Sequence, residues 1–256
     1  MSVDRRIFVA AADWSAEEVV VREDQAHHLK HVLRAQAGEV FEFVDGEGRW
    51  ARAMIEEIPT RGEIHCRMQD QTFSARPPRN HFVLLPALIR FENFEWILEK
   101  AVELGVTRIL PLITAHTEAK WRDISAARYE RWDKIMVEAM KQCRRVHLPE
   151  IEKPSRFDQS VSTVEAEVKI LCSEKPATPA FKEVCRDIRA GRSGGAKSEG
   201  VATVGIWIGP EGGWSEEEVA WATGHGLHAV SFGERTLRAE TAALAALCLA
   251  QYEFDR

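Results

Sequence analysis

The chain has no run approaching about 18 consecutive apolar residues, no CxxC pair and no excess of positive charge. The missing apolar run excludes a membrane-spanning helix. Met1-Ser2-Val3-Asp4-Arg5-Arg6 has no apolar core to act as a secretory signal, so the expected location is the cytoplasm. Cys66, Cys143, Cys172, Cys185 and Cys248 are scattered and odd in number. That pattern argues against a disulfide framework or a zinc site and for reduced thiols. A net charge of -6 argues against a protein that coats nucleic acid nonspecifically, while leaving room for a selective RNA enzyme with local basic patches. Several catalytic signatures are missing as well. Ser215 lies in no GxSxG elbow, and no glycine loop ends in the Lys-Ser/Thr of a P-loop. His27 and His31 stand four apart, but without the Glu of HExxH or a third ligand, so no metal is expected.

What is present is a soluble globular composition, 45% hydrophobic and 29% charged over 256 residues, enough for one large domain or two ordinary ones. Residues 1–73 are β-rich. Val40–Val44 reads as a strand, Asp45-Gly46-Glu47-Gly48 as a hairpin turn, and Trp50 to Ile58 as the returning strand. Asp24 to Leu33 reads as a short helix. Residues 74–80, with Pro77-Pro78, read as a linker. From 81 to 256 strands and helices alternate, which implies an α/β domain with a largely parallel sheet. Its expected strands are His81–Ile89, Thr107–Ile113, Val168–Cys172, 203–208 and 228–232. Its expected helices are Phe91–Leu104, Ala126–Arg145, Pro179–Ala190, 215–224 and Glu240–Phe254, with a flexible loop over 191–200.

Two motifs carry the chemistry. Val204–Ile208 stops at Gly209-Pro210-Glu211-Gly212-Gly213, and Ser215 and Glu218 follow at capping-box spacing. Glycines there let backbone approach a ligand, and open α/β sheets bind ligands at the carboxyl ends of their strands. The second motif is Phe232-Gly233-Glu234-Arg235-Thr236-Leu237-Arg238-Ala239-Glu240-Thr241-Ala242, a glycine turn leading into an apolar helix. Basic clusters occur at Arg5, Arg6, Lys30 and Arg34, and at Lys141, Arg144 and Arg145.

Together the two motifs resemble the S-adenosylmethionine-binding signature of the SPOUT methyltransferases, and more closely that of the ribosomal RNA small subunit methyltransferase E family. Arg6-Ile7-Phe8, His28–Arg34, Glu99–Val106, Trp132-Asp133-Lys134-Ile135, Gln142-Cys143 and Pro149-Glu150-Ile151 extend the likeness over nearly the whole chain. The resemblance implies a small N-terminal PUA-like β-barrel domain (1–73) and a SPOUT domain (81–256) with a deep trefoil knot. It also implies a homodimer, S-adenosylmethionine as cofactor, and methylation of a uridine N3 in 16S rRNA of the small ribosomal subunit. Carried over by motif, the cofactor contacts are Leu171, Glu174, Ile208, Gly209, Pro210, Glu211, Gly212, Gly213, Phe232, Leu237, Arg238, Thr241 and Ala242. Arg238 is expected to stabilise the uracil anion, and Glu211 or Glu240 to position the base or take its proton. Arg6, Lys30 and Arg34 are expected to hold flanking RNA. At two places the chain departs from the family: His116-Thr117 stands where an Arg followed by Cys or Ser is usual, and Phe91-Glu92-Asn93-Phe94-Glu95 holds no Lys or Arg where basic residues are common, with only Arg90 nearby. Rival readings are a SPOUT enzyme acting on another RNA, such as a tRNA ribose, and a noncatalytic RNA-binding protein.

Overall fold

A computed structural model describes residues 6–60, 62–73, 80–118, 121, 124–175, 178–192 and 203–254. The linker residues 74–79 and most of the loop expected over 191–200 lie outside the described residues. By contacts the chain forms two compact units, residues 1–77 with 136–148, and residues 78–135 with 149–256.

In the first unit β1 (Arg6–Phe8), β2 (Glu18–Val21), β3 (Val40–Val44), β4 (Arg49–Ile55) and β5 (Ile64–Phe73) form one sheet in the order β1-β3-β4-β5-β2. The β3–β4 hairpin closes at Asp45, whose Oδ1 accepts from Glu47 N at 2.8 Å and Arg49 N at 2.9 Å. Alternation buries one side of these strands: Ile7, Val19, Val21, Phe41, Phe43, Ile55 and Ile64 form the core. The expected helix is present and changes type along its length. α1 (Glu23–His27) passes into a π-helical turn, His28–Val32, and Leu29 from that turn fills the core. The strands β1 and β2, three and four residues long, were not foreseen because such short runs carry too little periodicity.

From His81 the chain runs β6 (His81–Pro86), α2 (Phe91–Glu103), β7 (Arg108–Ile109), β8 (Leu112–Ile113), α3 (Ala126–Gln142, counted with the first unit from Met136 on), β9 (Glu150–Ile151), β10 (Ser155–Arg156), α4 (Phe157–Thr163), β11 (Val168–Cys172), α5 (Phe181–Arg192), β12 (Thr203–Ile208), α6 (Glu216–Gly224), β13 (His228–Val230) and α7 (Ala239–Phe254). Six strands make a parallel sheet in the order β13-β11-β12-β6-β7-β9. The single strand expected over Thr107–Ile113 is two. Pro111 has no N–H to give a ladder, and β8 leaves the large sheet to pair with β10. Val83, Leu85, Leu171 and Trp207 of the sheet pack with Phe157 and Val161 of α4. Trp207 is fully buried, its indole N–H satisfied by Ser160 Oγ at 3.0 Å. α2 ends at Leu104, and Gly105 follows at φ +82°, the left-handed position at which a helix commonly stops. Among the described residues no helix is long and apolar enough to cross a membrane.

One buried carboxylate ties α2 to α3. Glu95 is 8% exposed, and its Oε1 accepts from Arg131 Nε at 2.8 Å and Arg128 Nη1 at 2.9 Å. Chiefly the Arg131 hydrogen bond, opposed by burial, holds its carboxyl below the usual glutamate range. A lowered folded value stabilises above the ordinary glutamate value, near 4.3, and is lost as pH falls through the folded one. Glu95→Gln is therefore expected to cost about 1 kcal/mol at pH 7, because Arg131 is largely exposed. Denaturant titrations should show wild type losing more stability than the variant below about pH 4. Parallel acid profiles would contradict this.

Candidate active site

The register of the large sheet levels four strand ends. Cys172 pairs with Ile208 and with Val230, and Ile208 pairs with Pro86. The loops after β6, β11, β12 and β13 therefore emerge at one edge, where a parallel sheet offers a ligand crevice. A hollow of about 310 Å³ lies there, lined by residues 172–175, 208–214, 231–239 and Ala242. The stretches 208–214 and 231–239, separated by residues 215–230, thus meet around one space. Its walls combine apolar Ile208, Pro210, Phe232 and Leu237 with backbone polar groups and the charged Glu174, Glu211 and Arg238.

The glycine loop is shaped by Trp214. That ring is 7% exposed, donates from Nε1 to Cys172 O at 2.8 Å, and lies against Gly209, where an added Cβ would sit 3.1 Å from the indole. Gly213 adopts φ +69°, and a Cβ there would meet Glu174 Oε1 at 2.7 Å. Immediately after, Ser215 caps α6. Its Oγ accepts from Glu218 N at 3.1 Å while Glu218 Oε2 accepts from Ser215 N at 2.9 Å. The other carboxylate oxygen, Oε1, accepts from Ala115 N at 2.8 Å. One acidic side chain thus closes the helix and clasps the 114–118 loop. Ser215→Ala is expected to cost about 1 kcal/mol and lower Tm by about 2–4 °C. An unchanged thermal transition would deny the cap any weight.

Glu211, Gly212 and Arg238 also border a second hollow of about 400 Å³, completed by Leu88, Ile89, Arg90, Asn93, His116, Glu118 and Glu240. Glu240 Oε2 is buried with no hydrogen-bond partner among the described residues. A buried carboxylate oxygen without a donor is costly unless a bound group supplies one. His116 Nδ1 lies 2.9 Å from Gly213 O, which fastens the ring to the glycine loop.

Several expected site residues stand elsewhere. Leu171 is fully buried in the core, one residue short of the cavity, because strand alternation turns it toward the packing beside Trp207. Thr241 is exposed on α7 and does not line the hollow, whereas Ala239 and Ala242, three apart on one helix face, do. Arg6 is not a surface cation. It is 7% exposed, donates to Arg145 O at 3.1 Å, and lies 3.5 Å from Glu42. Lys30 Nζ donates to Gly62 O at 3.0 Å, and Arg34 is exposed. In the second basic cluster Lys141 is 4% exposed and paired with Glu138 at 2.7 Å, while Arg144 is exposed. Ser173 lies in the expected 171–174 stretch and lines the cavity, and Lys175 and Ser231 line it unforeseen, although adjacency to strand ends was a usable signal. Asn93 carried no local signal, and His116 carried one only as a departure from the family pattern.

Comparison with known proteins decides the family. An RNA methyltransferase domain model matches residues 76–251, and an RNA methyltransferase PUA domain model matches 21–69. A ribosomal RNA small subunit methyltransferase E from Synechocystis is 31% identical over 94% of this chain and 75% of its own length. The chain belongs to the ribosomal RNA small subunit methyltransferase E family. The Bacillus subtilis member is 26% identical over 98% of this chain and 97% of its own length. A Neisseria gonorrhoeae member crystallised with S-adenosylmethionine superposes with a TM-score of 0.80 at 25% identity, covering 97% of each chain. A Legionella pneumophila structure in complex with the same cofactor gives 0.82 at 28%, again over 97% of each.

Proposed function

We propose that this member of the family transfers a methyl group from S-adenosylmethionine to N3 of a uridine in small-subunit (16S) ribosomal RNA. The observation that carries the reading is the sharing of Glu211, Gly212 and Arg238 between two adjoining hollows, one for a donor and one for an acceptor. The first hollow fits the cofactor. It has a glycine-lined backbone cradle, apolar walls for a flat adenine, and Glu174, whose carboxylate accepts from hydroxyl groups such as those of a ribose. When bound, S-adenosylmethionine supplies an electrophilic methyl carbon.

The second hollow suits a uracil edge, which presents two carbonyls flanking one N–H. Arg90, Asn93 and Arg238 offer donors to the carbonyls, and Glu211 and Glu240 offer acceptors. Arg238 reaches both hollows, where a guanidinium stabilises the negative charge that uracil gains as N3 loses its proton. Glu240, with its unpaired buried oxygen, orients the base, and Glu211 closes the wall between donor and acceptor. Holding N3 in line with the methyl carbon accounts for most of the acceleration.

The homodimer implied by the resemblance belongs to the same proposal. It is supported by Trp96 on α2 and Leu249 and Tyr252 on α7, exposed apolar side chains available for a second copy to cover. The trefoil knot implied by the resemblance belongs to it as well. For RNA outside the active site, Lys30 and Arg34 remain candidates, with Arg6 withdrawn. A tRNA-ribose methyltransferase would place its methyl group on a hydroxyl oxygen. Identification of the modified nucleoside by mass spectrometry after reaction with small ribosomal subunits separates the two readings.

A further inference from the structure

We propose that His116 is a catalytic residue whose Nε2 takes the proton from N3 of the target uracil as N3 is methylated; this rests on the uridine-N3 reading above. A carbonyl oxygen can only accept, so the 2.9 Å contact with Gly213 O places the proton of the neutral imidazole on His116 Nδ1. Nε2 is left with its lone pair, and it makes no hydrogen bond among the described residues. The ring borders the same hollow as Arg238, Glu211 and Glu240. Its seat is built: Glu218 holds the preceding residue through Ala115 N at 2.8 Å, and Thr117 Oγ1 accepts from Thr114 N at 2.9 Å. Gly212 makes room for it, since a Cβ there would sit 3.1 Å from His116 Cβ.

Chemistry singles His116 out from the carboxylates beside it. Imidazole is the side chain whose ordinary basicity lies nearest neutral pH, where general-base catalysis is most effective. In the step, the N3–H bond breaks and its proton passes to Nε2. N3 bonds the methyl carbon, and the carbon–sulfur bond breaks with its electron pair left on sulfur. The imidazolium then returns its proton to water.

His116→Asn keeps a side-chain N–H for Gly213 O and removes the base. Calorimetry should find S-adenosylmethionine binding within about threefold of wild type, and single-turnover formation of N3-methyluridine at saturating cofactor about 100-fold slower. Nitrogen NMR of the wild-type imidazoles should show His116 as the Nδ1–H tautomer. A wild-type rate in His116→Asn overturns the proposal, and so does an Nε2–H tautomer in the free protein. If wild type places its methyl group away from N3, the uridine-N3 reading fails first and takes this proposal with it.

Discussion

Arg238→Ala is expected to slow single-turnover methylation by about 10²–10³-fold at saturating S-adenosylmethionine, while binding of the cofactor changes by less than about tenfold. Arg238 borders both hollows, so its charge acts where donor and acceptor meet. Uracil N3 is a poor nucleophile while protonated, and the anion formed on deprotonation spreads onto its two carbonyl oxygens. A fixed guanidinium at that point stabilises the transition state more than the neutral ground state, which is what raises a rate rather than an affinity. Arg238→Lys should recover part of the loss, because the charge survives while the planar fork of donors does not. A variant with wild-type turnover at saturating cofactor would remove Arg238 from the mechanism. Proportional loss of binding and rate would make it a cofactor ligand instead.

Gly213→Ala should weaken S-adenosylmethionine binding by about tenfold or more, through two effects that converge on one loop. At φ +69° an alanine is strained by about 1–2 kcal/mol, and its Cβ would stand 2.7 Å from Glu174 Oε1. The carboxylate can swing away, but it then leaves the place from which it meets the ligand. Gly213 O also holds the His116 ring, so a reshaped loop disturbs the acceptor side too. Gly224→Ala serves as the control, since nothing lies within 4 Å of a Cβ there and its backbone needs no glycine. Equal affinity in Gly213→Ala, measured by calorimetry, would show that the loop's conformation is not set by this residue.

Much of the second unit was legible because β6, β11 and β12 are buried and α6 carries a capping box. Val204–Ile208 is an apolar run ended by glycine and proline, and Ser215 and Glu218 form the capping box that their spacing announced. Gly105 marked the end of α2 for the same local reason. Segments of two to seven residues escaped, such as β9, β10 and α4, since pairing and packing fix them rather than periodicity. Exposure was the other blind spot. Arg6 and Lys141 read as surface cations, yet each is buried, Arg6 against the distant Arg145 O and Lys141 beside Glu138 one turn away in α3. The cofactor loops were visible as motifs, whereas the second hollow was not. It is assembled from residues after β6, β8, β12 and β13, and His116 meets Gly213 across 97 positions of chain. Such contacts exist only once the sheet order is set.

The central claim is a methyl transfer to uracil N3 in small-subunit rRNA, and one measurement tests it most directly. Small ribosomal subunits from a strain lacking this protein would be incubated with the purified protein and isotope-labelled S-adenosylmethionine. The rRNA would then be digested to nucleosides and resolved by mass spectrometry. Label recovered in N3-methyluridine is the predicted result. Label in a 2′-O-methyl nucleoside, or no incorporation by a protein that binds the cofactor, would contradict it.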